Sequence, residues 1–412
     1  MAPTGLTKNL KADYGLVDDD AKNNQSETFR KAIADLAAKG GGRLIVPKGT
    51  YRLANVRLMS NIHLLIEKDT VIKPDWPKGS KTVVFSLDAE QPKKMTKGQE
   101  GAFIENVSIR GLGGRWTVDY SDRFPNKGEG VRGVLGRMVK NFLISDMDVK
   151  DNCTVYCGMT LSPTNTNIKD VTKWEVSRAT DGTIRNCRIF NGSPGYGLVQ
   201  LHGAQNVHFE DLYADGGVTL RLETGAVGLH TGVYNITGKN IVCENGRCAV
   251  MMGPHSAVNG KVNVENVTTR GCTYAVQLGL GGVKEAQLKL DPHAKPGSFA
   301  KGSSIKNIHA EFGMNAQLKK HSLQMVPEAN FKHLRLWYDS KFFSGPSIAP
   351  VYDGSEARYE VIIENVTSEG FEHDEKIVTA EDARPGKWSN SFDDWKSEYG
   401  IKEVERPVPV KN

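Results

Sequence analysis

A short unit recurs along most of this chain and constrains its fold more than any other feature. In each copy, a polar residue is followed by alternating apolar positions, as in ENVSI, EDLYA and KNIVC. The polar positions are Asn106, Asp146, Asn186, Asp211, Asn240, Asn266, Asn307 and Asn365. The spacings from Asn186 to Asn266 are 25, 29 and 26 residues. Short strands that repeat with a period in the twenties are typical of a solenoid.

The repeating units predict an all-β fold, because no helical pattern separates their strands. We therefore expect a parallel β-helix. A blade-repeat propeller is the alternative, but it requires a longer and more uniform period. Segments that interrupt the period, at 161–178, 280–299 and 319–341, are expected to emerge as loops, often on the binding face.

One clear helix signal precedes the repeats. Asn24 and Glu27 have the form of a capping box, apolar residues follow at helical spacing, and Gly40–Gly42 end the segment. We expect this short helix to cap the open end of the solenoid. The chain would then consist of an extension over 1–23, the β-helix with its insertions over 24–370, and a charged tail over 371–412 packed on the solenoid.

Composition excludes several classes of protein. The net charge of +5 permits an anionic partner, but no basic run is dense enough to indicate nucleic acid, and no apolar run could span a membrane.

The six cysteines lack the spacing of a zinc site, so we expect buried thiols, or one or two disulfides such as Cys243–Cys272. We predict no required cofactor and a monomer. The opening MAPTGLTKNL lacks a signal core, and we expect a secreted or periplasmic protein whose signal has been removed.

Three polar residues interrupt apolar strands in the middle of the chain. Gln200 and Glu223 are 23 residues apart, about one coil, and His255 follows after one coil plus a loop. Equivalent positions of successive coils lie about 4.8 Å apart, so these side chains should meet on one face, with Arg221 beside Glu223.

An amide, a carboxyl group and an imidazole on adjacent coils suit acid–base chemistry on a sugar. We expect partial desolvation to raise the pKa of Glu223 towards the range of a proton donor. The alternative is structural, because stacked polar side chains are common in β-helices.

The segments GYGLVQ, GGVTLRLET and NIVCENGRCAVMMGPH resemble the iota-carrageenase family, glycoside hydrolase family 82. DDDAKNNQSETFRKAI and EFGMNAQLKK extend the similarity, with gaps, from about residue 15 to about 370. The resemblance implies a right-handed parallel β-helix that cleaves β-1,4 bonds of red-algal sulfated galactans with inversion. It also implies that Glu223 is the general acid and that Gln200 and His255 belong to the active site.

Two departures distinguish this chain from the family pattern. The family has an aspartate, its proposed base, where this chain has Gly225, although inversion needs a second carboxylate about 6.5–9.5 Å from the acid. The family also has a sulfate-contacting arginine where this chain has Gln277. His230, Asp215 and His255 are possible replacements for the base. The shorter insertion over 277–298 predicts a more open groove.

We therefore expect a glycoside hydrolase that cleaves within an anionic galactan less sulfated than iota-carrageenan, or differently sulfated. Arg221, Tyr196, His230 and Gln277 are the expected substrate-binding residues. Two alternatives stay open. One is a polysaccharide lyase with His255 or Tyr196 as base, and the other is a carbohydrate-binding protein without catalysis. We predict no metal site, although a structural cation is open.

Overall fold

The computed structural model describes residues 5–91, 101–125, 128–163, 178–225, 231–337, 342–383 and 400–404. Its helices are α1 (Leu10–Tyr14), α2 (Ser26–Ala38) and α3 (Glu285–Leu290). Short 3₁₀ helices span Lys320–Met325, Glu328–His333 and Ala380–Asp382.

Strands dominate the described residues. The amino-terminal strands are β1 (Leu6–Asn9), β2 (Gly42–Val46), β3 (Thr50–Leu53), β4 (Val56–Arg57), β5 (Ile62–Glu67), β6 (Val71–Pro74), β7 (Lys81–Leu87), β8 (Ile104–Leu112) and β9 (Trp116–Asp119). The central strands are β10 (Gly130–Gly136), β11 (Val139–Ser145), β12 (Met147–Lys150), β13 (Met159–Leu161), β14 (Ala179–Leu201), β15 (Ala204–Glu223), β16 (Val233–Glu244), β17 (Cys248–Gly253), β18 (Val262–Arg270) and β19 (Val276–Leu278). The remaining strands are β20 (Ser303–Glu311), β21 (Ala316–Lys319), β22 (Arg335–Trp337), β23 (Phe342–Gly345), β24 (Val351–Asp353), β25 (Val361–Glu369), β26 (Ile377–Thr379) and β27 (Lys402–Val404).

Parallel pairing of 23 of these strands confirms the predicted parallel β-helix. The coil has three faces. Sheet A runs from β1 and β2 through the first parts of β14–β16, β18, β20 and β25. Sheet B contains β3, β6, β9 and β12 and then the later parts of the same long strands. Sheet C contains β4, β7, β10, β13, the ends of β14 and β15, and then β17, β19, β24 and β26.

The recurring polar residues are the corners of the coil. All eight have a left-handed backbone with φ between 51° and 62°, a conformation that Asn and Asp adopt more readily than other non-glycine residues. Five of them form what we call the corner ladder, in which each Asn amide nitrogen donates to the preceding side chain at 2.8–3.1 Å. Its members are Asp211, Asn240, Asn266, Asn307 and Asn365. Asn106 belongs to a second ladder with Asn61 and Asn141, so it is not equivalent to the others.

The amino-terminal helix covers the first coils as predicted, burying Phe29, Ile33 and Leu36. The predicted capping box is wrong. The helix begins at Ser26, whose main-chain nitrogen donates to Asn24 Oδ1 at 2.8 Å. Glu27 therefore lies within the first turn and pairs with Arg30 instead. The sheets also extend beyond 24–370, because β1 pairs with β2 and β26 pairs with β24.

The predicted insertion over 319–341 contributes to a small sheet rather than only a loop. Strands β21, β23, β22 and β27 form it in that order. Its apolar residues, including Leu318, Leu336 and Phe343, pack with Val218 and Met251 of sheet C in a second hydrophobic core. The small sheet therefore lies against the outer face of sheet C. No helix among the described residues is long and apolar enough to cross a bilayer.

Candidate active site

Sheet C carries the predicted site residues on its outer face. Strand pairing aligns Gln200, Arg221, Met251 and Gln277 in one column, one residue per coil. The adjacent column points into the core and consists of Leu201, Leu222, Met252 and Leu278. Alternation along each strand thus separates the outer column, which is polar except for Met251, from the apolar inner one.

Three side chains converge on the carboxylate of Glu223. The amide nitrogen of Gln200 donates to Oε2 at 2.6 Å, and a guanidinium nitrogen of Arg221 lies 2.7 Å from Oε1. The His255 Nε2 lies 3.5 Å from the same Oε1. The structure therefore brings together the three residues selected by spacing, with Arg221 as the fourth. We call these four residues the Glu223 cluster.

The register of the cluster differs from the predicted one. Gln200 pairs directly with Arg221, so a coil has 21 residues here and Gln200 reaches Glu223 diagonally. His202 precedes Glu223 by one such coil, and its Nδ1 lies 2.7 Å from the Glu223 main-chain oxygen. Sequence reasoning missed this buried histidine. Counting 21 residues back from Glu223 would have found it.

The predicted rise in the pKa of Glu223 is wrong. Burial does raise this pKa, but the hydrogen bond with His255 and the positive charge of Arg221 lower it by more. The pKa of Glu223 therefore lies well below its usual range. The carboxyl group is ionised at neutral pH in the ligand-free protein, and it can act as an acid only after its surroundings change.

The segment after Gln277 holds the backbone of His255. His255 has a left-handed φ of 43°, and its carbonyl oxygen accepts from the nitrogens of Gly282 and Gly297 at 2.7 and 2.6 Å. In α3 of the same segment, Gln287 Nε2 donates to the main-chain oxygen of Gly225 at 2.5 Å. This short insertion therefore holds both the histidine and the glycine beside Glu223.

Gly225 occupies a position that has no room for a side chain. Its φ is 71°, and a Cβ atom there would lie 2.8 Å from the main-chain nitrogen of Ser256 and 2.9 Å from its Oγ. The Ser256 hydroxyl is itself bound to Gln287 at 2.9 Å. The absence of a carboxylate at position 225 is thus accompanied by a backbone packed around glycine.

The predicted substrate-binding residues occupy different environments. Arg221 is buried, donates to the carbonyl oxygen of Gly195 and lies 5.5 Å from the centre of the Tyr196 ring. Gln277 is buried two coils further along, and its Oε1 accepts from Arg247 Nε at 3.0 Å. His230 lies outside the described residues.

Sequence reasoning also missed the cations around the cluster. Burial, with the positive charges of Arg247 and Arg221, lowers the pKa of Lys319 to about 7. Lys319 ends β21, and its ammonium group lies 5.8 Å from the Phe342 ring centre. Arg132 lies 3.6 Å from the ring centre of Tyr156, which contacts Tyr196 edge-on. No spacing within the coils would have identified Lys319, because the small sheet supplies it.

The other residues that the sequence suggested for a site lie away from the Glu223 cluster. Asp215 lies in sheet B, where its carboxylate accepts from Asn245 at 3.1 Å, as a structural corner residue does. All six cysteines are buried and none forms a disulfide, and Cys272 Sγ lies 3.3 Å from the Cys243 carbonyl oxygen. In the described part of the chain, no three His, Cys, Asp or Glu side chains cluster as metal ligands would.

Comparisons with known proteins give a consistent result. No family model matches the chain. The iota-carrageenase of Zobellia galactanivorans is 32% identical over 88% of this chain and 83% of its own length. The solved structure of a 1,3-α-1,4-β-D-galactose-4-sulfate-3,6-anhydro-D-galactose-2-sulfate 4-galactohydrolase superimposes with a TM-score of 0.81 at 27% identity, covering 98% of this chain and 96% of that one. An iota-carrageenase complexed to iota-carrageenan fragments gives a TM-score of 0.80 at 26% identity, with the same coverage.

Proposed function

Since the chain belongs to the iota-carrageenase family of glycoside hydrolases, we propose that it cleaves β-1,4 bonds within a red-algal sulfated galactan. The observation that carries this proposal is the convergence of Gln200, Arg221 and His255 on one carboxylate. The polymer is less sulfated than iota-carrageenan, or differently sulfated. Gln277 replaces the arginine that the family pattern has there, and an amide cannot form the paired charged bonds of a guanidinium.

Glu223 is the proposed proton donor, and substrate binding would change its charge state. In the ligand-free protein, Arg221 and His255 lower the pKa of Glu223. An anionic group of the polymer that accepts from Arg221 would weaken the Arg221–Glu223 pair. The burial of Glu223, which raises its pKa, would then count for more, and the carboxyl group could take up the proton that it later donates.

Inversion also requires a second catalytic group, a base that activates the attacking water. His255 lies 3.5 Å from Glu223, much closer than the separation of about 6.5–9.5 Å between the two groups of an inverting enzyme. We therefore assign His255 and Gln200 to orienting the substrate. His230, five residues after Gly225, is our proposed base for the attacking water.

The charges around the cluster favour an anionic polymer. Arg221 pairs with the ionised carboxylate of Glu223, and Arg247 and Lys319 lie close enough for that carboxylate to act on their pKa values. A local excess of positive charge in a partly buried groove attracts a polyanion.

The test is a panel of galactans that differ in sulfation, assayed for new reducing ends and for ultraviolet absorbance of the products. The proposal expects reducing ends without absorbance on at least one carrageenan-type polymer. An unsaturated, absorbing product would indicate a lyase instead. Binding without any cleavage across the panel would indicate a carbohydrate-binding protein.

We further propose that the protein acts outside the cytoplasm, as a monomer and without a required cofactor. The anionic polymer is too large to enter a cell intact, which supports an external site of action. Sedimentation of the native protein tests the monomer. Activity that survives exhaustive chelation would support the absence of a required metal.

A further inference from the structure

The turn that carries His255 lies beyond the paired part of sheet C. Strands β15 and β17 pair as far as Glu223 and Gly253, so His255 follows the last paired residue by two positions. The chain turns there, because His255 has a left-handed φ of 43°. The separation of 3.5 Å between His255 Nε2 and Glu223 Oε1 must therefore be maintained by contacts outside the sheet.

The side chain of Gln287, from α3 of the inserted segment, joins the two pieces of chain that follow these strands. Its Nε2 donates to the main-chain oxygen of Gly225 at 2.5 Å and to Ser256 Oγ at 2.9 Å. Gly225 lies two residues after Glu223, and Ser256 directly follows His255. One amide nitrogen thus links the end of the Glu223 strand to the turn that carries the histidine. We call these two hydrogen bonds the Gln287 bridge.

The orientation of the Gln287 amide is fixed by its partners. Its Oε1 accepts from the main-chain nitrogen of Lys284 at 2.9 Å, so both ends of the amide are engaged. A rotated amide would place this oxygen against the carbonyl oxygen of Gly225, and two acceptors cannot form a hydrogen bond. The Gln287 bridge is therefore made by a single orientation of an uncharged side chain.

The missing side chain at position 225 makes this bridge possible. A Cβ atom on Gly225 would lie 2.8 Å from the main-chain nitrogen of Ser256 and 2.9 Å from its Oγ. A larger residue would push these two pieces of chain apart and separate the two acceptors that Gln287 bonds. The glycine that leaves position 225 without a carboxylate therefore also lets the inserted segment hold the turn.

The contact held by this bridge controls the charge of Glu223. Burial raises the pKa of this carboxyl group, and the hydrogen bond with His255 is the largest influence that lowers it. The positive charges of Arg221 and His202 lower it further. Movement of the turn would remove the effect of His255, whereas that of Arg221 would stay, because β15 carries both Arg221 and Glu223.

We propose that Gln287 is a positioning residue of the active site, which acts through His255 by holding its imidazole against Glu223. The inference rests on the proposed function for the reaction that the site performs. An imidazole held in one place orients the substrate in the same way in every turnover. Loss of the Gln287 bridge should therefore lower kcat more than it changes KM.

The experiment removes the bridge while keeping the length of the side chain. Gln287→Met cannot donate a hydrogen bond, and Ser256→Ala removes one of the two acceptors as a milder second variant. Gln91→Met is the matched control, because the Gln91 amide also joins two loop segments through main-chain oxygens, several coils before Glu223. Each change is made in the wild type and in His255→Asn, and melting temperatures verify that each variant folds.

The inference expects Gln287→Met to raise the pKa of Glu223 towards its ordinary value of 4.5. Carboxyl-carbon NMR of the ligand-free protein measures this pKa, and Glu223→Gln assigns the signal. On the carrageenan polymer that the wild type cleaves fastest, kcat should fall about tenfold while KM changes less than about threefold. Ser256→Ala should shift the pKa and kcat in the same directions by less, and the control should shift neither.

The His255→Asn background tests whether Gln287 acts through the imidazole. In that background, Gln287→Met should have almost no further effect on the Glu223 pKa or on kcat, because the group through which it acts is gone. Equal effects in the two backgrounds would overturn the positioning role. A lower melting temperature with an unchanged pKa and kcat would overturn it as well, since the bridge would then serve the fold alone.

The outcomes separate this inference from the proposed function. A raised Glu223 pKa in the Gln287→Met variant of a protein that cleaves no galactan supports the positioning role and overturns hydrolysis. Cleavage by the wild type with an unchanged kcat in that variant overturns the positioning role alone. An unchanged pKa without any cleavage overturns both.

Discussion

The corner ladder and the Glu223 cluster are both stacks of polar side chains on adjacent coils, yet they have different physical characters. The corner ladder uses nearly identical residues, each with a left-handed backbone and an amide bond to the preceding rung. In the Glu223 cluster, an amide, a guanidinium and an imidazole are all directed at one carboxylate. A uniform stack satisfies its own side-chain polar groups, whereas a mixed stack concentrates charge at one place.

Repetition alone therefore does not indicate a site. Each ladder amide bonds to its neighbour, so the stack uses up its own polar groups. In the Glu223 cluster, several donors compete for one carboxylate, and a substrate anion can displace one of them. Substitutions in the two stacks should therefore separate activity from stability.

The largest effect is expected for Glu223→Gln. The amide keeps the shape of the side chain but cannot donate a proton, so the rate of cleavage should fall about 10³-fold. The melting temperature should change little by comparison. Reducing-end assays measure the loss, and Glu210→Gln, on the outer face of sheet A, serves as control. Cleavage near the wild-type rate would contradict the assignment of Glu223 as the acid.

Arg221→Gln should reduce activity about 100-fold and change the response to pH. A folded pKa below the usual 4.5 means that ionised Glu223 stabilises the fold above that pH, and that this stabilisation is lost as the pH falls. Removing Arg221 raises the pKa of Glu223. The variant should therefore lose more stability at pH 7 than at pH 3.

Unfolding curves at the two pH values check this prediction. Arg335→Gln, which removes a guanidinium that donates to the main-chain oxygens of Lys332 and Leu334, is the control. A loss of stability from Arg221→Gln that is the same at both pH values would show that the coupling to Glu223 is absent.

In the corner ladder, Asn266→Ala should lower stability and leave activity unchanged. It removes the bonds to Asn240 and Asn307 and places alanine at a φ of 59°. We expect unfolding to require about 2 kcal/mol less free energy, with cleavage unchanged at low temperature. Asn266→Gly keeps the backbone conformation accessible and should lose less. Denaturant titrations measure both variants, and a drop in activity without a loss of stability would contradict a purely structural role.

The sequence predicted these two stacks with unequal success, for a physical reason. The corner ladder could be recognised because an Asn or Asp recurs at the left-handed turn of successive coils. The partners of Glu223 could be selected by coil spacing, but the register was two residues off because the coil length varies. Lys319 and Gln287 could not be found that way, since inserted segments bring them to the site. The direction of the Glu223 pKa shift depended on those distances and charges, which spacing does not specify.

Among the residues beside Glu223, the smallest effect on cleavage is expected for Gly225→Asp, where the two kinds of stack meet. This glycine shares the left-handed backbone of the corner ladder but lies two residues from Glu223. An aspartate would be strained at that φ, and its Cβ would lie 2.8 Å from the main-chain nitrogen of Ser256, so we expect a stability loss of about 3 kcal/mol. We also expect no gain in cleavage, because the displaced Ser256 is bound to Gln287 beside the site. Gly225→Ala is the control for the steric effect alone. A rise in activity with aspartate but not with alanine would show that the position still accepts a catalytic base.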